Sequence, residues 1–426
     1  MEIMDPRLNF FETSPIQLAI EKSTYQDYTP ITALADQQPI HFLITGSPKQ
    51  CWDLKSSYLM VKAKITKADG SAPLTAAEVS VVNNTFYSLF QEVQATLNDK
   101  PITESNSMFP LRKYIEFITT FENDAQRWVA PSVNFVKDVA GKMDVTKKSH
   151  TNTALATRAV MFDAGKPAEM LGRLPLDLAN QDVVIPPNCK LEFKLIPSKD
   201  NFMIKKDPAD NEVYKMKILE VRLYLACLEL ADSNLIALNK MLETDNARWF
   251  ITRVEMKSIT IASGHQSVQR DNVFSGKLPK RLTMVFVSEA ALAGSYILNP
   301  FNFQHFTLNH LALNVNGEMV PSVPFTPDFA GGNYIRDYML GMQDGLHKVF
   351  SDHAANISYE EFAKGYTIYV FDLTPNKSVD MCPQLTGNIR VEAKFGTALA
   401  ATVQMIFYAE YDDVIELSKT ELITPY

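Results

Sequence analysis

A two-residue turn flanked by alternating apolar residues occurs twice in this chain, and it commits both neighbourhoods to antiparallel hairpins. Asn316-Gly317 is the clearer copy. Both central residues of a type I′ turn need positive φ, which Asn and Gly tolerate, and Leu311, Leu313, Val315 and Met319 place apolar side chains around it. The earlier copy has Val93, Ala95 and Leu97 before Asn98-Asp99, and Ile102 after it. Val93 therefore aligns with Leu311, Leu97 with Val315, and Asn98-Asp99 with Asn316-Gly317.

The segment after each hairpin repeats as well. Leu111, Tyr114, Ile115 and Ile118 stand at helical spacing after the first, and Ile335, Tyr338, Met339 and Met342 after the second, with basic Arg112-Lys113 and Arg336 at comparable points. Further on, Leu176-Asp177-Leu178 resembles Phe371-Asp372-Leu373, the stretch 190–195 (KLEFKL) resembles 390–395 (RVEAKF), and 217–227 resembles 402–411. The order is the same in both halves. A repeat this long implies two copies of one β domain, because solenoid repeats are far shorter.

A chain of 426 residues has room for two or three full cores without disulfides or metals. Its 23 prolines and 16 glycines, with abundant aromatic residues, suit short strands joined by turns more than long helices. The formal net charge of −8 argues against wholesale neutralisation of nucleic-acid phosphates, so no sequence-specific nucleic-acid binding is expected. The basic pairs Lys147-Lys148, Lys205-Lys206 and Lys280-Arg281 read as solvated faces. Cys51, Cys189, Cys227 and Cys382 are widely spaced, which points to reduced thiols in an intracellular assembly. No basic and apolar leader opens the chain and no run of about 18 apolar residues occurs, so neither a secreted nor a membrane-spanning protein is expected.

Taken in order, residues 1–39 read as an extended N-terminal arm that packs on something else. A first sandwich is expected over 40–240. It includes a strand in which Leu59, Val61, Ala63 and Ile65 alternate against Met60, Lys62 and Lys64. Residues 122–169 break the pattern and read as a long inserted loop, exposed on an outer surface or ordered by a partner. Leu235, Leu238 and Leu242 mark a helix at the boundary, with Asp232 or Ser233 able to cap it. A second sandwich covers 241–417, and 418–426 is a tail. The fold class is all-β. About eight antiparallel strands per half, with one helix interrupting each set, predict two tandem eight-stranded jelly rolls with short helices. An immunoglobulin-type sandwich is the rival, but Trp52, Trp128 and Trp249 do not supply its Cys, Trp, Cys arrangement.

No phosphate-binding, zinc-protease or nucleophile-elbow motif occurs, and no catalytic, cofactor-binding or metal residue is assigned. The pairs His305 with His310 and His347 with His353 read as local structure. The acidic group Glu410, Asp412, Asp413 and Glu416 offers oxygen ligands to a hard cation, but alternation turns Asp413 away from Glu410 and Asp412, and a solvated edge is the plainer reading. Phe301, Phe303 and Phe306 would form either a sugar or base platform or core packing before the hairpin, with core packing favoured.

The stretch LPKRLTMVFVSEAALAGSYILNPFNFQHFTLNHLALNVNGEMVPSVPFTPDFAGGNYIRDYMLG, with GYTIYVFDLTP and NIRVEAKF, resembles the major capsid protein of Polinton or Maverick elements and the related adintoviruses. In the first half SLFQEVQATLNDKPI, LRKYIEFI, LGRLPLDL and KLEFKLIPSKDNF carry the same resemblance. That family looks like a relative of adenovirus hexon. The resemblance implies a double jelly-roll subunit, a homotrimer with pseudo-hexagonal outline, contacts with neighbouring capsomers, vertex (penton) and minor capsid proteins, and a place in a virion capsid assembled inside the host cell. It implies a structural protein and no enzyme. A carbohydrate-binding or carbohydrate-cleaving β-sandwich is the alternative of another class, resting on the aromatic and acidic residues above.

Overall fold

The computed structural model describes residues 17–74, 77–103, 106–120, 128–148, 150–347, 355–374, 385–418 and 422–423. The start of the expected arm, most of the tail, His353 and Cys382 lie outside them. The first half contains β1 (Ile20–Tyr28), β2 (Ile40–Thr45), β3 (Gln50–Lys67), β4 (Val79–Val81), β5 (Phe90–Leu97), β6 (Lys100–Pro101), β7 (Ala168–Arg173), β8 (Lys190–Pro197), β9 (Ile204–Lys206) and β10 (Tyr214–Leu230). The second contains β11 (Ala247–Ile261), β12 (Ser267–Lys277), β13 (Arg281–Ser288), β14 (Leu308–Val315), β15 (Glu318–Phe325), β16 (Ile368–Asp372), β17 (Thr386–Phe395), β18 (Val403–Leu417) and β19 (Leu422–Ile423).

Strand order demonstrates the duplication. In the first half the sheets run β1-β10-β3-β7 and β2-β8-β5-β6, and in the second β11-β18-β13-β16 and β12-β17-β14-β15. Replacing each strand by its counterpart in chain order converts one pair of sheets into the other, with only the β4-β9 pair and β19 left over among the described residues. Each half is a jelly roll of two facing four-stranded antiparallel sheets. The two hairpins coincide in this correspondence: Leu97 pairs with Lys100 around Asn98-Asp99, and Val315 with Glu318 around Asn316-Gly317. All four turn residues have positive φ.

Alternation builds the cores. Leu59, Val61, Ala63 and Ile65 are buried on the inner face of β3, and the facing sheet buries Phe42, Phe193 and Leu195. In the second half Phe286 of β13 meets Phe395 of β17 edge-on at 5.8 Å, and Phe274 of β12 meets Phe407 of β18 at 6.1 Å, so side chains from both sheets interdigitate. β13 is buried on both faces, with Val285 and Val287 as inaccessible as Leu282 and Met284. Tyr408 of β18, opposite Thr283 on that outer face, interacts with Glu116, Arg112 and Asp177 of the first half, and a strand covered on both sides reads as the continuous apolar run LTMVFV.

Several expectations are corrected. Residues 20–28, expected in the arm, form β1 and pair along β10 from Tyr28 opposite Leu223 to Ile20 opposite Leu230. β12 carried no sequence signal. Both are edge strands with mostly exposed side chains, so no apolar alternation is required of them. The 190–195 and 390–395 stretches are equivalent strands, but Leu97 lies opposite Leu191 whereas Val315 lies opposite Ile389; the two-residue shift preserves the faces. Asp177–Asn180 is a 3-10 turn, not a strand like Phe371 and Asp372. The helix Phe109–Thr120 buries Leu111, Tyr114, Ile115 and Ile118 as the spacing predicts. Its counterpart is Ile335–Tyr338 followed by a π-helical turn, Met339–Gln343. The wider turn rotates the later residues, so Met342 is buried while Ile335 is exposed. The boundary helix Asp232–Met241 is preceded by Ala231, with no side-chain cap; Asp232 stands in its first turn and pairs with Lys49 at 2.7 Å.

Candidate functional site at the seam between the halves

The insertion is the largest departure from expectation, because its described residues, 128–148 and 150–169, pack into the core at many points instead of forming an outer loop. Ala130, Val133, Phe135, Met143, Leu155 and Phe162 are buried, and the helix Thr153–Val160 packs against β4. At its centre Arg158 and Asp138 form an ion pair at 2.8 Å, with side-chain exposures of 1% and 0%. Charges taken this far from water persist only when the remaining hydrogen-bonding capacity is filled. Arg158 also donates to the carbonyls of Val136 at 2.8 Å and Val81 at 3.3 Å. Asp138 Oδ1 accepts a second bond from Asn152 at 2.8 Å, and Asn83 holds Val136 from both sides through its amide group.

This polar knot reaches the second half directly. Tyr366 donates its hydroxyl to the Asp138 carbonyl at 2.7 Å, and Lys137 pairs with Glu361 at 2.6 Å. Asp144 accepts from the Asn299 amide and from Asn302 Nδ2, each at 2.6 Å, and Gly141 N donates to the Lys364 carbonyl at 2.7 Å. Beside it Tyr114 stacks on Phe301, with centroids 4.2 Å apart and planes at 14°, and meets Phe303 edge-on at 5.7 Å. Trp249 Nε1 adds a bond to the Val184 carbonyl at 3.2 Å. Apolar burial supplies area, and the bonded polar groups fix one relative position of the two jelly rolls.

Electrostatics along the seam are uneven. Lys205 on β9 is 1% exposed, and its Nζ has no hydrogen-bond partner among the described residues. Burial lowers its pKa to about 7, against the opposing pull of Asp144 and Asp138. Glu116 shows the reverse balance: burial alone would raise its pKa, but Lys113 and Arg112 together hold it at about 2. Arg112 also pairs with Asp177, which ties the helix Phe109–Thr120 to the turn after β7.

The residues singled out in the sequence meet different fates. Phe301 and Phe303 are fully inaccessible core residues; Phe306 is partly buried against the same core. The acidic group is a solvated edge only at Glu416, which stays open to solvent; Glu410, Asp412 and Asp413 are largely buried, and each of the four carboxylates has a cation. Glu410 meets Arg281 at 3.3 Å, Asp412 meets Lys280 at 3.0 Å, Asp413 meets Arg253 at 3.2 Å and Glu416 meets Arg248 at 3.1 Å. Lys205-Lys206 and Lys280-Arg281 are likewise not free solvated pairs: Lys205 is buried, and Lys206 lies 5.1 Å over the Tyr296 ring. His305 stacks on Phe329 at 4.0 Å, His347 bonds Asp372 at 2.7 Å, and His310 stands 4.0 Å from Glu392. Among the described residues no group of three or more His, Cys, Asp or Glu is arranged to hold a metal, and no helix is long and apolar enough to cross a membrane. Sequence reading missed Asp138, Asp144 and Arg158, and placed Lys205 on a solvated face. The one available signal was a lone Arg inside the apolar stretch ALATRAVMF.

No family model matches this chain. The uncharacterized protein F54H12.2 of Caenorhabditis elegans is 22% identical over 415 residues, covering 94% of this chain and 96% of that protein. Among solved structures, a chain of the Sputnik virophage cryo-EM structure superposes with a TM-score of 0.64 at 12% identity, covering 99% of this chain and 92% of that one. A chain of the PBCV-1 virus capsid model gives 0.59 at 9% identity, covering 98% and 99%. The mavirus major capsid protein gives 0.53 at 11% identity, covering 99% and 93%. End to end, the chain has the double jelly-roll fold seen in these viral capsid structures.

Proposed function

We propose that this chain is a structural major capsid protein, a building block of an icosahedral virus-like shell of the Polinton and adintovirus kind, without catalytic activity. The observation that carries the proposal is the correspondence of two jelly rolls with identical strand order, end to end, to viral capsid chains. On this reading 40–240 and 241–417 are the two domains, with β1 added to the first, and three chains close into a homotrimer. Six similar sandwiches in a three-fold ring give a near-hexagonal outline from three polypeptides. The locked seam supports this reading, because a shell block must present both rolls in one fixed relation. Neighbouring trimers, vertex and minor capsid proteins would be the partners, and the virion capsid, assembled inside the host cell, the location. The carbohydrate reading loses its motive: Phe301 and Phe303 are 0% exposed and offer no face to a sugar.

Sedimentation at micromolar concentration with negative-stain imaging of the same sample tests the proposal. Six-lobed trimers are expected, whereas a stable monomer would overturn it.

A further inference from the structure

A cavity of about 230 Å³ lies where the two halves meet, lined from the first half by Gln91, Pro110, Ser198, Lys199 and Phe202 and from the second by Leu292. Its walls divide by chemistry. Pro110, Phe202 and Leu292 offer carbon surface, which gives enclosed water few partners. On the other side stand polar groups with unspent capacity. Ser198 is 2% exposed, its backbone N–H donates to the Leu89 carbonyl at 2.8 Å and its carbonyl accepts from Gln37 at 3.2 Å, yet its hydroxyl bonds nothing among the described residues. A buried hydroxyl left so is unfavourable, and an acceptor held in the cavity that Ser198 lines would relieve it. Lys199, exposed at the mouth, has no carboxylate partner among the described residues; adjacent Asp200 spends Oδ1 on the Met216 amide at 2.9 Å.

We propose that this cavity is a binding site for a small amphipathic carboxylate, its anionic head at Lys199 and Ser198 and its hydrocarbon tail against Pro110, Phe202 and Leu292. A lone cation beside donor groups selects an acceptor-only head. The carbon wall selects a tail over a compact inorganic anion. Because both halves line the cavity, an occupant adds contacts across the seam and stabilises the folded chain by mass action.

The test uses the full chain and three probes sharing one tail: octanoate, octanol and octyltrimethylammonium. Calorimetric titration and thermal unfolding are read in parallel. Saturable one-to-one binding of octanoate with a raised unfolding temperature is expected, with octanol weaker and the cation inert. Lys199→Gln, at an exposed position that leaves the fold intact, weakens octanoate by about tenfold or more, as loss of a charge-assisted bond does. Leu292→Trp fills the cavity and abolishes binding. The proposal is overturned if octanoate does not saturate, if octanol binds equally well, or if Lys199→Gln binds as the parent does.

Discussion

Arg158 donates from Nη2 to Asp138 Oδ1 at 2.8 Å, and neither side chain is more than 1% exposed. The pair belongs to the insertion, and through the Asp138 carbonyl and Tyr366 it is joined to the second jelly roll. Replacing Arg158 by Met leaves a buried carboxylate without its counterion, which costs about 3–5 kcal/mol. Urea unfolding at pH 7 measures this. The double variant Arg158→Met with Asp138→Asn recovers part of the loss, since the uncompensated charge is gone. A single-variant cost below about 1 kcal/mol, the size of an exposed pair, would show that the knot does not hold the seam.

Lys205 gives a pH dependence of definite sign. Its folded pKa of about 7 lies below the ordinary lysine value of 10.5, so between these values the unfolded chain binds the extra proton. Stability therefore rises with pH across that window and is lowest below it, where the folded protein must bury the ammonium group. Lys205→Met removes the slope and raises stability at pH 7, by about 1–4 kcal/mol. Chemical denaturation at intervals from pH 6 to 10.5 tests both statements; parallel curves for parent and variant would refute them.

Asp337 has the opposite polarity. Burial raises its carboxyl pKa to about 6, above the ordinary 3.8, with Arg336 pulling the other way. The folded state favours the protonated acid, so this contribution is present below pH 3.8 and is lost as pH climbs through 6. Asp337→Asn is expected to match the parent in acid and to exceed its unfolding temperature at pH 7. Equal melting at both pH values counts against it.

Two glycines separate conformational from steric cost. Gly317 has φ +93, and a Cβ added there would meet nothing within 4 Å, so Gly317→Val strains only the turn, by roughly 1–3 kcal/mol. Gly365 has φ +103, and a Cβ there would run into Met143 Sδ and sit 2.8 Å from Asn302 Oδ1. Since Asn302 also holds Asp144, Gly365→Ala should cost more than Gly317→Ala and lower soluble yield as well as melting temperature. Equal costs would mean the seam yields freely at this point.

Legibility followed locality. Alternation along β3, β8 and β17 and the paired Asn98-Asp99 and Asn316-Gly317 turns were readable because strand period and positive φ are set within about ten residues. β1 and β12 were not, because an edge strand with exposed side chains satisfies its backbone on one side without any apolar pattern. The π-helical turn at Met339–Gln343 likewise arises from packing that a 3.6-residue period does not encode.

By itself, then, the sequence determined the all-β class, the repeated hairpins and the tandem duplication, since each depends on neighbours along the chain. Tertiary structure alone decided the fate of the insertion's described residues, 128–148 and 150–169, and the partners of their charges. Lys137 and Glu361 are separated by 224 residues and Asp138 and Tyr366 by 228, so only the folded chain could bring these counterparts together and make burial of the insertion favourable over exposure.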